Sequence, residues 1–503
     1  MAAPGGGLRL RRLGIDTYQE PVAYLRADCP VCKSEGFEAR SRIEVWRGEL
    51  HIIATLNVVH EPLIEQCQLG LSEAAWRALG GADGDLLEVA HAQPVQSLSA
   101  VRAKIYGRPL GASAAGAIIR DVVDGRYAEI EMAALITACS GDRMDVAETI
   151  ALTQAMVAVG QRLDWQRGMV LDKHCVGGLP GNRTTLLVVP IVAACGLLIP
   201  KTSSRAITSP AGTADTMETL APVALDLSTM RRVVEQEGGC VVWGGAVSLS
   251  PADDLLIRVE RPLGLDSDGL MVASVMSKKA AAGATHVLID MPVGRTAKVR
   301  SRQAAQQLAD RFYRVGHALG IAVEVQTSDG EQPVGRGIGP ALEARDVLAI
   351  LQHQAGAPAD LRQRALQLAA RLLESGGKAA PGEGMALAVS VLDSGQAWAK
   401  MQAICAAQGG LRQPPRAPYT QVVTALHAGR LIAIDNRRLA RLAKLAGAPK
   451  AAAAGLELHC ALGQRLQAGQ PLLTLHAESP GELAYAAAYA AAQDTLFTIE
   501  EAG

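Results

Sequence analysis

The sequence predicts an α/β protein: a helical lobe beside an α/β lobe with a parallel-rich central sheet, a β-rich N-terminal domain and a C-terminal α+β subdomain. Three observations predict it. Strand-like apolar runs alternate with helical ones from residue 169 to 242 and again from 286 to 326, which a parallel sheet with crossover helices satisfies. Apolar residues three and four apart fill 114–125, 129–138 and 143–159, and the helical pattern returns at 250–284. Short alternating runs at 22–25, 50–59 and 86–90 sit among turn residues.

In chain order these readings give a β-rich domain over 1–97, with 93–100 as a linker. A discontinuous helical lobe follows over 98–168 together with 250–284. The α/β lobe takes 169–249 and 285–417, with strands at 286–290 and 321–326 around a helix at 304–319. Residues 378–383 form a Pro/Gly loop. The C-terminal subdomain occupies 418–503, with a strand at 472–477 and an Ala-rich stretch at 485–492. No internal repeat is visible.

The chain has 503 residues, too many for one core, so two to four domains are expected. Its formal net charge of −1 and 3% aromatic content argue against a nucleic-acid partner, which asks for basic surface and stacking platforms. Nine cysteines in a chain of this size are not a secreted disulfide framework. Residues 1–12 lack the apolar core of a signal peptide. The apolar run 184–200 contains Pro190 and is short for a span. The expectation is a soluble cytoplasmic protein with no membrane partner.

Two strand–loop–helix units carry the chemistry. In the first, a buried strand ends near Asp172, and 173–185 reads as a basic, glycine-rich loop ahead of an apolar helix at 186–195. Gly177, Gly178 and Gly181 let backbone approach a ligand closely. Lys173 offers a point charge, and Thr184 and Thr185 offer hydroxyls. The spacing matches neither a P-loop nor a dinucleotide fingerprint. In the second, a strand at 198–202 feeds a loop from Ser203 to Gly212, rich in hydroxyls and bearing Arg205, and a helix then opens. Helix starts present free N–H groups and a positive dipole end to anions. Two such loops at neighbouring strand ends suggest one shared anion site at the sheet edge.

These residues carry a resemblance. Asp172-Lys173-His174 with Gly177-Gly178, the stretch 203–218, Trp243-Gly244-Gly245-Ala246, Pro251-Ala252-Asp253-Asp254, the stretch 273–279 and the glycine-rich 332–339 together resemble the thymidine and pyrimidine-nucleoside phosphorylase family. The likeness is to its long branch, which includes AMP phosphorylases and bacterial proteins named for thymidine phosphorylase. It runs from about Val101 onward, and the first hundred residues match that branch's extra domain. The resemblance implies phosphorolysis of an N-glycosidic bond, giving free base and (deoxy)ribose 1-phosphate. It implies no cofactor, inorganic phosphate as co-substrate, a nucleoside or nucleotide held between the lobes, and a homodimer formed through the helical lobe.

By the same resemblance, Lys173, Cys175, Thr185, Ser203 and Thr213 match phosphate-contacting positions, and His174 a residue beside the sugar or base. Arg258, Ser274 and Lys278 match the base-recognising set, Arg258 by way of a one-residue gap. In the AMP phosphorylase branch, Gly178, Ser204, Arg205, Ala206, Ile207, Thr208, Ser209 and Thr213 match a nucleotide-binding loop. There Asp266 matches the proton donor, with Ser274 and Lys298 as further nucleotide contacts. Cys175 stands where the family usually has Ser, and a thiol is the weaker donor.

Each assignment has a plainer alternative. Lys173 fits a solvated loop lysine, Arg258 a surface arginine and Lys278-Lys279 a charged helix end. Asp266 and Asp268 fit N-caps of a following helix. As a donor, Asp266 would have to keep a proton against a reference pKa of about 3.9, which desolvation raises. Cys29-Pro30-Val31-Cys32 reads as an unliganded surface loop or, with Cys67 and His60, a metal site. Functionally, nucleoside 5′-monophosphate phosphorolysis giving ribose 1,5-bisphosphate stands beside the nucleoside reading. An anthranilate-type phosphoribosyltransferase and a non-catalytic nucleotide sensor are the more distant readings.

Overall fold

The computed structural model describes residues 7–206, 209–247, 249–265, 267–493 and 495–500, excluding the side chain of Arg261. The chain divides into two compact units, Met1–Ala138 and Cys139–Gly503.

The first unit begins with a closed six-stranded barrel. Its strands run in the order Leu8–Arg12, Gln68–Leu71, Val22–Arg26, Leu50–Val59, Arg42–Arg47 and Leu86–His91, the last pairing back onto the first. Closure removes the exposed edges that a short sheet would otherwise carry. Leu8 and Leu10 point inward while Arg9 and Arg11 face solvent, the period-two pattern of a strand with one buried face. Cys29 and Cys32 are both buried in the barrel core, so the surface-loop expectation for this pair is corrected. The Cys32 thiol donates to Phe37 O at 3.6 Å. Residues 93–100 are also more than a linker. Ser97 is buried, its Oγ bonds Asp121 and Tyr127 at 2.6 and 2.9 Å, and helix Leu98–Ile105 starts directly after it.

The second unit is built on parallel strands. They are β1 (Leu171–Cys175), β2 (Ile199–Ser203), β3 (Gly239–Trp243), β4 (His286–Val293) and β5 (Ala322–Asp329). The orders β5-β4-β1 and β2-β3 are parallel throughout. Leu171 N donates to Leu198 O at 2.8 Å, which joins the two pieces where β1 begins and β2 approaches. Helix α1 (Thr185–Ala194) is buried over residues 185–193. A helix apolar on every side can only sit inside a core, and α1 lies in the largest one, with Leu171, Ile199, Val241 and Leu366. Three further helices matter for the site: α2 (Thr213–Glu218), α3 (Pro251–Leu263) and α4 (Asp268–Ala281).

Ser267 caps α4 by accepting from Leu270 N at 3.3 Å, and its hydroxyl donates to Cys139 O at 2.8 Å. The cap is therefore Ser267 and not Asp268, and Asp266 lies outside the described residues. At Gly269 a Cβ would come within 2.8 Å of Met144 Cβ. This close approach seats α4 beside helix Val146–Ala158, whose start is fixed by a capping box between Asp145 and Glu148.

The chain after Pro418, with Gly337–Ile338, forms two antiparallel sheets. One runs Gly337–Ile338, Gly455–Leu458, Pro471–Ala477, Tyr419–Thr424, and the other Arg465–Leu466, Gly429–Ile434, Phe497–Glu500. Helices Asn436–Leu445 and Pro480–Ala491 cover them. Among the described residues no helix is long and apolar enough to cross a membrane.

Candidate active site

Parallel strands place all their C-terminal ends on one edge, which is where ligands bind in sheets of this kind. Here the register aligns Cys175 with Asp290 and Ser203 with Trp243. The basic segment does not begin as a loop, as the sequence suggested. Strand β1 runs on through Lys173, His174 and Cys175. Successive strand side chains face opposite sides, so the segment's chemistry divides into two faces.

On one face lie Lys173 and Cys175. Lys173 is fully buried, which rules out the solvated-lysine alternative. Its Nζ donates to Thr184 Oγ1 at 2.7 Å and lies 3.6 Å from Asp290 Oδ2. An ammonium has three N–H donors; Thr184 takes one, and Asp290 is a counter-charge just beyond hydrogen-bond distance. Asn182 Nδ2 donates to Asp290 Oδ2 at 3.0 Å and to Cys175 Sγ at 3.2 Å. Ser328 Oγ donates to Asp290 Oδ1 at 3.0 Å. Burial, and then the charge of Asp290, push the Cys175 thiol up to about 11, so at neutral pH it is a thiol and not a nucleophilic thiolate. Thr185, at the first turn of α1, is buried beside Thr184.

On the other face lie Asp172 and His174. Asp172 is buried and meets two buried lysines, Lys279 Nζ at 2.7 Å and Lys201 Nζ at 3.6 Å. Two ammonium groups on one carboxylate leave positive charge uncompensated. Burial first, and then Lys279, push Lys201 well below the usual lysine range against the pull of Asp172. His174 is held well below its ordinary value, again by burial first, then by Lys279, Lys201, Lys278 and Lys173. It is a neutral imidazole at neutral pH, with one N–H donor and one acceptor nitrogen.

The second loop is tied mostly to itself. The Asp215 carboxylate accepts from Ala206 N at 2.7 Å and Gly212 N at 2.9 Å. Arg205 forms a two-pronged pair with Glu218, touches Asp215 at 3.2 Å, and lies 4.9 Å above the Trp243 ring. Ser203 Oγ donates to Ser204 O, and Ser209 Oγ to Ala211 O. Thr213 Oγ1 accepts from Arg183 Nη1 at 3.2 Å. Ile207 and Thr208 lie outside the described residues.

From the helical side, Lys278 on α4 bonds Asp253 Oδ2 at 2.6 Å and Ser274 Oγ at 3.0 Å. It is thus an oriented cation one turn from Ser274, not a loose charge at a helix end. Arg258 sits on α3, the helix that carries Asp253. Lys298 meets the first loop directly: a Cβ on Gly178 would lie 2.4 Å from Lys298 N.

The structure therefore brings Lys173, His174 and Cys175 together with Thr184 and Thr185. It joins Ser274 to Lys278, Thr213 to the first loop, and Gly178 to Lys298. Arg205 and Ala206 are engaged with α2. Sequence reasoning missed Asp290, Asn182, Arg183, Lys201 and Lys279 as parts of the site. Charged residues inside strands that otherwise read as apolar, Asp172, Lys201 and Asp290 among them, were the available signal, since such groups are seldom buried without a partner.

Comparison with known proteins gives the family. Residues 167–398 match the glycosyl transferase family a/b domain, 98–160 its helical bundle domain, and 431–495 the pyrimidine nucleoside phosphorylase C-terminal domain. A protein of Polaromonas sp. (strain JS666 / ATCC BAA-500) named "Putative thymidine phosphorylase" is 64% identical over 98% of this chain and 97% of its own length. "Putative thymidine phosphorylase 2" of Acidovorax sp. (strain JS42) is 63% identical over 99% and 97%, and the "Putative thymidine phosphorylase" of Hahella chejuensis is 56% identical over 98% of both chains. The crystal structure of anthranilate phosphoribosyltransferase from Thermus thermophilus superposes with a TM-score of 0.51 at 22% identity, covering 61% of this chain and 99% of that one, a likeness of fold. With relatives this similar over nearly its whole length, and with all three models matched in chain order, the chain belongs to the thymidine and pyrimidine-nucleoside phosphorylase family of glycosyl transferases.

Proposed function

We propose that this chain is a thymidine phosphorylase-like pentosyltransferase. A phosphate oxygen attacks C1′ of the nucleoside, the C1′–N bond breaks, its electrons leave with the base, and the base takes up a proton. The observation that carries the reading is the buried positive charge at the end of β1: Lys173 held against Thr184 and Asp290 on one face, and Lys201 and Lys279 against Asp172 on the other. Lys173 belongs to the strand edge suited to an anion, whereas Lys278 is bonded to Ser274 on the helix that matches the base-recognising set.

In this reading Lys173, Cys175, Thr185, Ser203 and Thr213 hold phosphate, and Arg258, Ser274 and Lys278 hold the base. Holding both reactants in line supplies up to about 7 kcal/mol or more of the barrier at ideal alignment. The Lys278 ammonium, fixed by Asp253, stabilises negative charge developing on the departing base. His174, kept neutral, donates and accepts hydrogen bonds without repelling the positive charge that grows on the sugar. A cytoplasmic homodimer serving nucleoside salvage completes the proposal, and family membership is its support.

The nucleotide reading remains a rival because Gly178 and Lys298, two of its contact positions, pack against each other. Against it, Arg205 and the Ala206 N–H are already committed to Asp215 and Glu218. The deciding experiment supplies phosphate with thymidine, uridine, adenosine, AMP, CMP or UMP at equal concentration and measures free base. Base released fastest from thymidine or uridine supports the proposal. Faster release from AMP would transfer the assignment to the nucleotide branch, and no base from any of them would end it.

A further inference from the structure

Arg183 lies in the first anion loop and reaches across to the second. Its Nη1 donates to Thr213 Oγ1 at 3.2 Å and its Nη2 to Ala211 O at 2.8 Å, while Nε pairs with Glu343. Glu343 is fully buried on helix α5 (Pro340–Leu351), and it also accepts from Thr216 Oγ1 at 3.0 Å and Gly339 N at 3.4 Å. One guanidinium and one carboxylate thus fasten the turn after β1, the second loop, α2 and α5 to a common point. The side chain is mostly shielded from solvent, so its geometry is set by packing as well as by charge.

We propose that Arg183 is a positioning residue for phosphate, acting through Thr213. A threonine hydroxyl has one donor and two acceptor sites. Accepting from Arg183 occupies one acceptor and directs the O–H away from the guanidinium, ready to donate to an anion. Arg183 also fixes the spacing between Lys173 on β1 and Thr213 at the start of α2, so that one phosphate meets both. A planar five-donor fork suits this three-way junction, and an ammonium cannot reproduce it. The inference rests on the phosphorylase reading above.

A double-mutant cycle tests it. Arg183→Gln is expected to raise the phosphate KM about ten- to a hundredfold, as loss of one or two charge-assisted bonds would, while the nucleoside KM stays within about threefold. Thr213→Val should raise the phosphate KM similarly, and the double variant should be little worse than either single one. Equal phosphate KM in Arg183→Gln and the unmodified enzyme, or penalties that simply multiply in the double variant, would overturn the proposal. If Arg183→Gln alone unfolds through the stranded Glu343 charge, Arg183→Gln/Glu343→Gln carries the same measurement.

Sulfate binding, read from the rise in Tm, separates this inference from the assignment of activity. Sulfate binding that weakens in both Arg183→Gln and Thr213→Val, in a protein releasing no base from any nucleoside, would leave Arg183 organising an anion site while the phosphorylase reading falls. Normal phosphorolysis with an unchanged sulfate response in Arg183→Gln would do the reverse.

Discussion

Cys175 stands where the family resemblance implied a serine, and its surroundings show what a thiol can do there. The sulfur accepts from Asn182, and the thiol is pushed up to about 11, so it keeps its proton and can donate weakly outward. Serine is smaller and the better donor, and Asn182 is already placed to hold it. Cys175→Ser is therefore expected to lower the phosphate KM or leave it unchanged, with kcat within about threefold, since a neutral hydrogen bond nets only about 1 kcal/mol. Steady-state kinetics checks this, and a drop in kcat/KM of a hundredfold or more would remove Cys175 from the phosphate site. The same residue marks what the sequence could disclose. The motif Asp172-Lys173-His174 was readable as basic and functional. That Lys173 would be wholly buried and shared between Thr184 and Asp290 was not, because Asp290 reaches it only through strand register, 117 positions along the chain.

At the scale of elements, the turn between β1 and α1 is the most exacting part of the site. Gly178 has φ near +78°, and an added Cβ would lie 2.4 Å from Lys298 N and 2.6 Å from Lys298 Cβ. Gly181, φ near +75°, would meet Val334 O at 2.1 Å. Both contacts are to segments far along the chain, so the glycines serve close backbone approach as much as turn geometry. Gly178→Ala is expected to cost about 2–4 kcal/mol of stability from left-handed strain and forced backbone displacement. It should also raise the phosphate KM more than tenfold, because the turn carries Thr184 and Thr185. Chemical denaturation and kinetics read the two effects, and an alanine variant as stable and active as the parent would refute the close packing. The strand–helix alternation behind this turn was legible because α1 is a long apolar run set between short strand-like segments. The extent of β1 was not, because polar residues at a strand's C-terminal end look like loop. In the barrel, Leu8–Arg12 alternates clearly, yet its arginines disguised it, and closure with Leu86–His91 is a tertiary fact.

Over the whole molecule the net charge is only −1, yet positive charge is concentrated at the strand edge. Lys173, Lys201, Lys278 and Lys279 lie beside Asp290, Asp172 and Asp253, and Asp254, pushed up to about 6 by burial and then by Asp253, also feels Lys278. Burial and neighbouring lysines disfavour the protonated forms of both His174 and Lys201. For His174 the folded value lies below the unfolded one of about 6.5. The unfolded chain therefore binds more protons as pH falls through that range, and the stability contributed by neutral His174 is present above it and lost below it. A bound dianion reverses the local field: it stabilises the protonated forms and raises both groups toward their ordinary values. Binding must then draw protons from solution, and affinity must rise as pH falls. Sulfate is the suitable probe because it does not titrate in this range. Calorimetric titration in two buffers of different ionisation heat should register net proton uptake at pH 7, and sulfate should bind several-fold more tightly at pH 6 than at pH 8. His174→Asn should flatten that dependence, and Asp254→Asn removes the carboxylate near 6 as its source. Proton release on binding, or affinity indifferent to pH, would mean that the anion does not sit among these lysines.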